Sequence, residues 1–216
     1  MEDNKVNGKP TKRFFISMLT RDITVNDAIG DLVDNAVDAA RKAIYEAGNP
    51  KNIDLFTAKY ENTFVTISIK DDKFVISDNA GGIPFDIAQK YAFAFGRPED
   101  FDGTPGSIGQ FGIGMKRAFF KLGKKITVES STLTDYFKVE IDVDEWQSQD
   151  DWDFDLTDKR HETNPAIGYG TVITVENLHD DTIELFKSNV FIQKLKEEIG
   201  LENWYNITKG MKISIN

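Results

Sequence analysis

DLVDNAVDA, residues 31–39, is the stretch on which the fold turns. Its polar members Asp31, Asp34, Asn35 and Asp38 recur at spacings that place them on one face of a helix, opposite an apolar stripe. The stripe is long. Ile29, Leu32, Val33, Ala36, Val37, Ala40 and Ile44 repeat at helical intervals, and Gly48 with Pro50 ends the run. Thr24 stands at the N-cap, with Asp27 placed to complete a capping box. Asp31 and Asn35 then lie one turn apart, about 6 Å along the axis. Magnesium takes oxygen ligands and keeps several waters, so one Asn oxygen plus phosphate oxygens can hold it. A carboxylate one turn earlier can orient or deprotonate a water. Taken alone, the same face reads more readily as the solvated surface of an amphipathic helix.

Two further stretches change the balance. In SDNAGGI, residues 77–83, a Val-Ile-rich strand runs straight into Asp78 and then into glycines. A carboxylate at a strand end can accept from an adenine amino group, and glycine lets a flat base approach the main chain. These are also ordinary turn residues. In GSIGQFGIGMK, residues 106–116, Gly109, Gly112 and Gly114 lead into a helix whose first turn holds Lys116 and Arg117. Free amides at a helix N-terminus attract anions. Two cations there oppose the helix dipole and make better sense with an anion present. The run lacks the G-K-[ST] of a P-loop and has the glycine order of the Rossmann fingerprint reversed.

The remaining elements fit around these three. Thr63–Ile69 and Phe74–Ser77 read as a β-hairpin, and Pro84 opens a short helix to about Phe95. Gly96–Ser107 is rich in Gly and Pro and reads as a loop; a helix at Ile113–Leu122 is stopped by Gly123. Strands Ile126–Ser130, Tyr136–Val143 and Thr171–Asn177 follow, with an acidic irregular stretch at 144–168 whose Trp152–Leu156 could pair with an edge. A helix from Thr182 to Ile199 and a last strand within Met211–Ile215 complete the chain. This order is α+β, a two-layer sandwich with helices on one face of a mixed sheet. Residues 1–13 read as a flexible lead-in and 14–216 as one domain.

Composition narrows the chemistry. The 216 residues contain no Cys, which excludes disulfides, thiolate metal sites and a cysteine nucleophile, and only two His. A net charge of −10 weighs against bulk nucleic-acid binding. No stretch reaches membrane-spanning length and the N-terminus lacks the apolar core of a signal peptide, so a cytoplasmic protein is expected.

Read together, the three stretches resemble the ATP-binding (Bergerat) fold of the GHKL superfamily: gyrase B, the large heat-shock chaperone, the sensor histidine kinases and MutL, with the MORC ATPases allied. DNAVDA resembles the superfamily's N-box, SDNAGGI its D-x-G-x-G box and IGQFGIGMK its second glycine box, and Gly170-Thr171 resembles the G-T strand that supports the adenine-reading Asp. In wording, GSIGQFGIG is similar to the chaperone, while FGIGMK and AFAFGRPED are similar to the MORC group. The resemblance implies ATP and Mg2+ as cofactors, with Asn35 as metal ligand, Asp31 as catalytic base and Asp78 as adenine reader. It also implies nucleotide contacts from Asp38, Gly82, Gly109, Gln110, Phe111, Gly112, Ile113, Gly114, Lys116 and Thr171, with 96–108 as the ATP lid.

Two departures stand out. Ala80 occupies the place of the first glycine of D-x-G-x-G, and Asp31 that of the usual Glu. Aspartate is one methylene shorter, and a 1 Å misplacement can cost on the order of a hundredfold in rate. The expected function is Mg-ATP binding with slow hydrolysis, driving lid closure or homodimerisation as the N-terminal part of a longer MORC- or MutL-like machine. Any nucleic acid would be met through other domains. A non-hydrolysing ATP switch stays open as an alternative, as does a histidine-kinase-type catalytic domain, although no phosphoacceptor-His helix pair precedes the N-box.

Overall fold

The computed structural model describes residues 6, 8–47, 59–70, 72–96 and 112–216. The long helix foreseen from Thr24 is α2 (Val25–Ala47), and its capping box forms as expected. The Thr24 backbone N–H donates to Asp27 Oδ2 at 2.7 Å, and the Asp27 N–H donates back to Thr24 Oγ1 at 3.1 Å. Its apolar stripe is the centre of the core: Ala28, Ile29, Val33 and Val37 are fully shielded from solvent.

That stripe lies on a seven-stranded sheet of order β5-β4-β3-β6-β2-β1-β7. Its strands are β1 (Phe64–Lys70), β2 (Lys73–Asp78), β3 (Gly123–Ser131), β4 (Tyr136–Asp142), β5 (Asp155–Arg160), β6 (Gly170–Leu178) and β7 (Lys212–Ile215). Only β1 and β7 pair in parallel, so the sheet is mixed. Registered pairs give the buried face continuous apolar rows. Ile67, Ile76, Ile173, Val128 and Val139 form one, and Ile69, Phe74, Val175, Ile126 and Ile141 the next. The opposite face carries Ser68, Thr127, Glu129, Lys138, Glu140, Thr174 and Glu176, none of them buried. Strand alternation thus leaves the helices one face to cover, which gives the α+β sandwich expected from the sequence.

Several elements differ from the sequence reading. Lys12 and Arg13, assigned to the lead-in, open α1 (Lys12–Thr20), capped by Thr11. Lys12 is buried, with Nζ donating to the Trp146 carbonyl at 2.7 Å and lying 4.3 Å from the Trp146 ring centre. The helix foreseen from Pro84 is shorter: α3 (Phe85–Ile87) passes into a π-helical turn (Ala88–Ala92). After it comes α4 (Gly114–Leu122), close to the expected bounds. The acidic stretch after β4 is not wholly irregular. Asp142 caps α5 (Val143–Ser148), accepting from the Asp144 and Glu145 N–H groups, and β5 then adds an edge to β4. The single helix expected at 182–199 is two, α6 (Asp180–Phe186) and α7 (Asn189–Glu202), because Ser188 caps the second through the Phe191 N–H. A short α8 (Trp204–Thr208) leads into β7.

Candidate nucleotide site

Two ends of one candidate site lie along α2. At the first, Gly114 at the start of α4 packs on Asp31: a Cβ built on Gly114 would lie 3.3 Å from Asp31 Cγ. At the second, a Cβ on Gly81 would lie 4.0 Å from Ala43 Cβ. Twelve helical residues, about 18 Å at 1.5 Å each, separate these contacts, so an elongated ligand lying along α2 would touch both.

The strand end is built around Asp78, whose row on the buried face continues through Thr171 and Ser130. The Ala80 N–H donates to Asp78 Oδ1 at 2.8 Å and the Thr171 N–H donates to the same carboxylate. Burial nonetheless dominates and pushes Asp78 up to about 6, with those two hydrogen bonds pulling the other way. Such a carboxylate gains from one more donor. Thr171 is buried, and its Oγ1 lies 3.0 Å from Ser130 Oγ, which also accepts from the Ile83 N–H at 2.7 Å. Ser130 therefore fastens β6 and the 79–83 loop together, a role the sequence reading missed. Its signal was present: it is the polar member of the inward series Ile126, Val128, Ser130.

The glycines here answer the Ala80 departure. Positive φ falls at Gly81 (96°) and Gly82 (73°), not at Ala80, which is buried. Gly82 also closes the loop on the sheet, since a Cβ there would stand 2.2 Å from the Ser131 carbonyl oxygen. Gly170 is tighter still, with its Cβ position 1.9 Å from the Asp78 carbonyl oxygen.

At the other end the polar face of α2 divides. Asp31 is gripped by Arg117 of α4 through both carboxylate oxygens, Nη2 donating to Oδ1 at 2.7 Å and Nε to Oδ2. Asp34 turns toward α7: burial, then the charges of Glu202, Asp38 and Asp31, push its carboxyl up to about 6. Asp38 lies 3.6 Å from Arg41 Nη1. The Asn35 amide nitrogen is buried with no hydrogen-bond partner among the described residues. An orphaned amide costs about 1–3 kcal/mol, and exchanging its N and O positions would aim a carbonyl oxygen at the same place. The residues thus suit a cation held by Asn35 and ligand phosphates. Among the described residues no carboxylate or histidine cluster offers a metal cage of its own.

Of the glycine run, Gly109, Gln110 and Phe111, like the proposed lid after Gly96, lie outside the described residues. Gly112 takes φ 63°, and the Ile113 carbonyl accepts from the Arg117 N–H at 2.9 Å, starting α4. Lys116, read as a phosphate contact, is 1% exposed and donates from Nζ to the Ala92 carbonyl at 2.8 Å, fastening the π-helical turn to α4. Burial lowers it to about 8.

With that geometry in view, residues 23–174 match the family model described as histidine kinase-, DNA gyrase B- and HSP90-like ATPase. The match spans well over half of the chain. The chain belongs to this ATPase family. No match was found among curated proteins. Family membership makes this a GHKL-type nucleotide-binding domain, and its matched span takes in α2, both glycine-bearing turns and the start of β6, the elements that build the site. No helix among the described residues is long and apolar enough to cross a membrane.

Proposed function

We propose that the domain binds Mg-ATP along α2, with the adenine at Asp78 and the phosphates at the start of α4, and hydrolyses it slowly. The observation carrying this reading is Asp78 itself. It is a desolvated carboxylate held by two main-chain N–H groups, and an adenine amino group is the donor it still lacks. Guanine would present a carbonyl oxygen there, an unpaired mismatch costing about 1–3 kcal/mol. Gly82 and Thr171 shape the adenine end. Asn35 holds magnesium, which shields and orients the phosphates. Gly109, Gln110, Phe111, Gly112, Ile113 and Gly114 supply main-chain contacts to them, Asp38 joins the water network near the base, and Asp31 serves as the base toward water. Lys116 contributes positive charge from behind α4 and no direct phosphate contact.

The nucleotide state is passed on through closure of residues 96–108 and dimerisation within a larger MORC- or MutL-like assembly in the cytoplasm. Hydrogen exchange in 96–108 should slow with a saturating ATP analogue. Calorimetry should show ATP and ADP bound in preference to GTP; equal affinity for GTP overturns the assignment of Asp78. Incubation with γ-labelled ATP separates the reactions: free phosphate marks an ATPase, labelled protein a kinase, and retained binding with neither a switch.

A further inference from the structure

Asp31 and Arg117 are 86 positions apart in sequence, and the fold closes them into a two-bond ion pair bridging α2 and α4. We propose that Arg117 is the triphosphate sensor of this site: Asp31 holds it until a terminal phosphate arrives, and its transfer to that phosphate frees Asp31 to face water. This deepens the Mg-ATP reading above and rests on it.

Three observations carry the inference. Both Asp31 oxygens already accept from the guanidinium, so while the pair is closed the carboxylate's charge is matched to Arg117 and two of its acceptor positions are taken. Arg117 is the available cation of its turn. Its side chain keeps 35% of its exposure, whereas Lys116 beside it is buried and engaged by the Ala92 carbonyl. Last, the exchange partners match. A guanidinium fork binds a carboxylate and a phosphate with the same bidentate geometry, and a terminal phosphate carries more charge than one carboxylate. Asp31 stands one helical turn, about 6 Å, from Asn35, so Arg117 is already beside the place where a metal on Asn35 would hold phosphates. ADP, lacking the terminal group, leaves the pair closed.

The sensor makes opposite predictions for its two halves. Calorimetry with Mg-ADP and with a non-hydrolysable Mg-ATP analogue would be run on the whole chain and on Arg117→Gln and Asp31→Asn. Removing Arg117 should weaken the ATP analogue by roughly tenfold to a hundredfold, the worth of a charge-assisted contact, and leave ADP within about twofold. Removing the Asp31 charge takes away the competitor for Arg117, so the ATP analogue should bind several-fold tighter with ADP unchanged. Arg117→Lys, keeping charge without the fork, should fall between parent and Arg117→Gln. A static strut between α2 and α4 would weaken both nucleotides together in both variants, and that result overturns the proposal. Should the parent bind neither nucleotide, the Mg-ATP reading itself fails. Thermal melts of each variant establish that the measured protein is folded, and either variant decides the sign alone.

Discussion

Replacing Gly170 by Ala tests whether the adenine end of this site is defined by main chain pressed on main chain. The added Cβ would stand 1.9 Å from the Asp78 carbonyl oxygen, 2.7 Å from its carbonyl carbon and 2.9 Å from Asn79 Cα. None of these is the tip of a flexible side chain, so β2 and β6 must part where the Thr171 N–H meets the Asp78 carboxylate. Overpacking a filled interior costs about 1–3 kcal/mol, and a main-chain overlap of this depth belongs at about 3 kcal/mol. In a chain of this size each kcal/mol lowers Tm by roughly 2–4 °C, so a fall of about 6–12 °C is expected by circular dichroism. Calorimetry with ATP should show affinity reduced by about tenfold or more, since Asp78 moves with its strand. Gly200→Ala is the matched control. Gly200 lies inside α7 with nothing within 4 Å of its Cβ position, and alanine there should be neutral or stabilise by roughly 0.5–1 kcal/mol. A Gly170→Ala protein that melts with the parent and binds ATP equally well would refute the account of this junction.

Asp78, pushed up to about 6 from 3.8, binds its proton more tightly folded than unfolded, so stability should fall as pH rises between about 4 and 6. Above that window the loss amounts to about 3 kcal/mol, and Asp34 adds a slope of the same sign, so Asp78→Asn should remove only part of it. An adenine amine favours the ionised form, so ADP affinity should rise as pH increases toward about 6. Binding at about pH 5 to 6, where Asp78 still carries a proton, should release it. Calorimetry in buffers of differing ionisation enthalpy would detect that proton in the parent and not in Asp78→Asn. Ser130→Ala strands the Ile83 N–H and the Thr171 hydroxyl, and should cost about 1–3 kcal/mol in chemical denaturation together with weaker ATP binding. Asn35→Ala should flatten the magnesium dependence of ATP affinity while leaving the melting temperature near the parent's; a retained magnesium dependence would remove Asn35 as the ligand.

What could be read from the sequence was whatever depends on short range. The Thr24–Asp27 capping box, the stripe of α2, the glycine turn after β2 and the start of α4 are local, and they appear within a residue or two of expectation. What was hidden depends on partners far along the chain. Lys12 and Arg13, read as the end of a flexible lead-in, open helix α1, with Lys12 buried against Trp146, 134 positions away. The face of α2 looked uniform until α4 claimed Asp31 and α7 approached Asp34. Ser188 could have been recognised as a cap, but an uninterrupted helical spacing on both sides masked the break. Arg117 was visible as a cation, and its partner was not.

The Leu122–Gly123 junction has one more consequence. Helix α4 ends and β3 begins at adjacent residues, and β3 is laced to β4 on one side and β6 on the other along most of its length. The helix is thus rooted in the sheet at its C-terminal end, while its N-terminal tip is tied to α2 and to the π-helical turn by the side chains of Arg117 and Lys116. Any motion that a ligand causes must be taken up at the tip, near Gly112 with its φ of 63°, and must die away toward Gly123. A spectroscopic reporter beside Gly123 should stay silent on nucleotide addition, whereas one at the tip should respond.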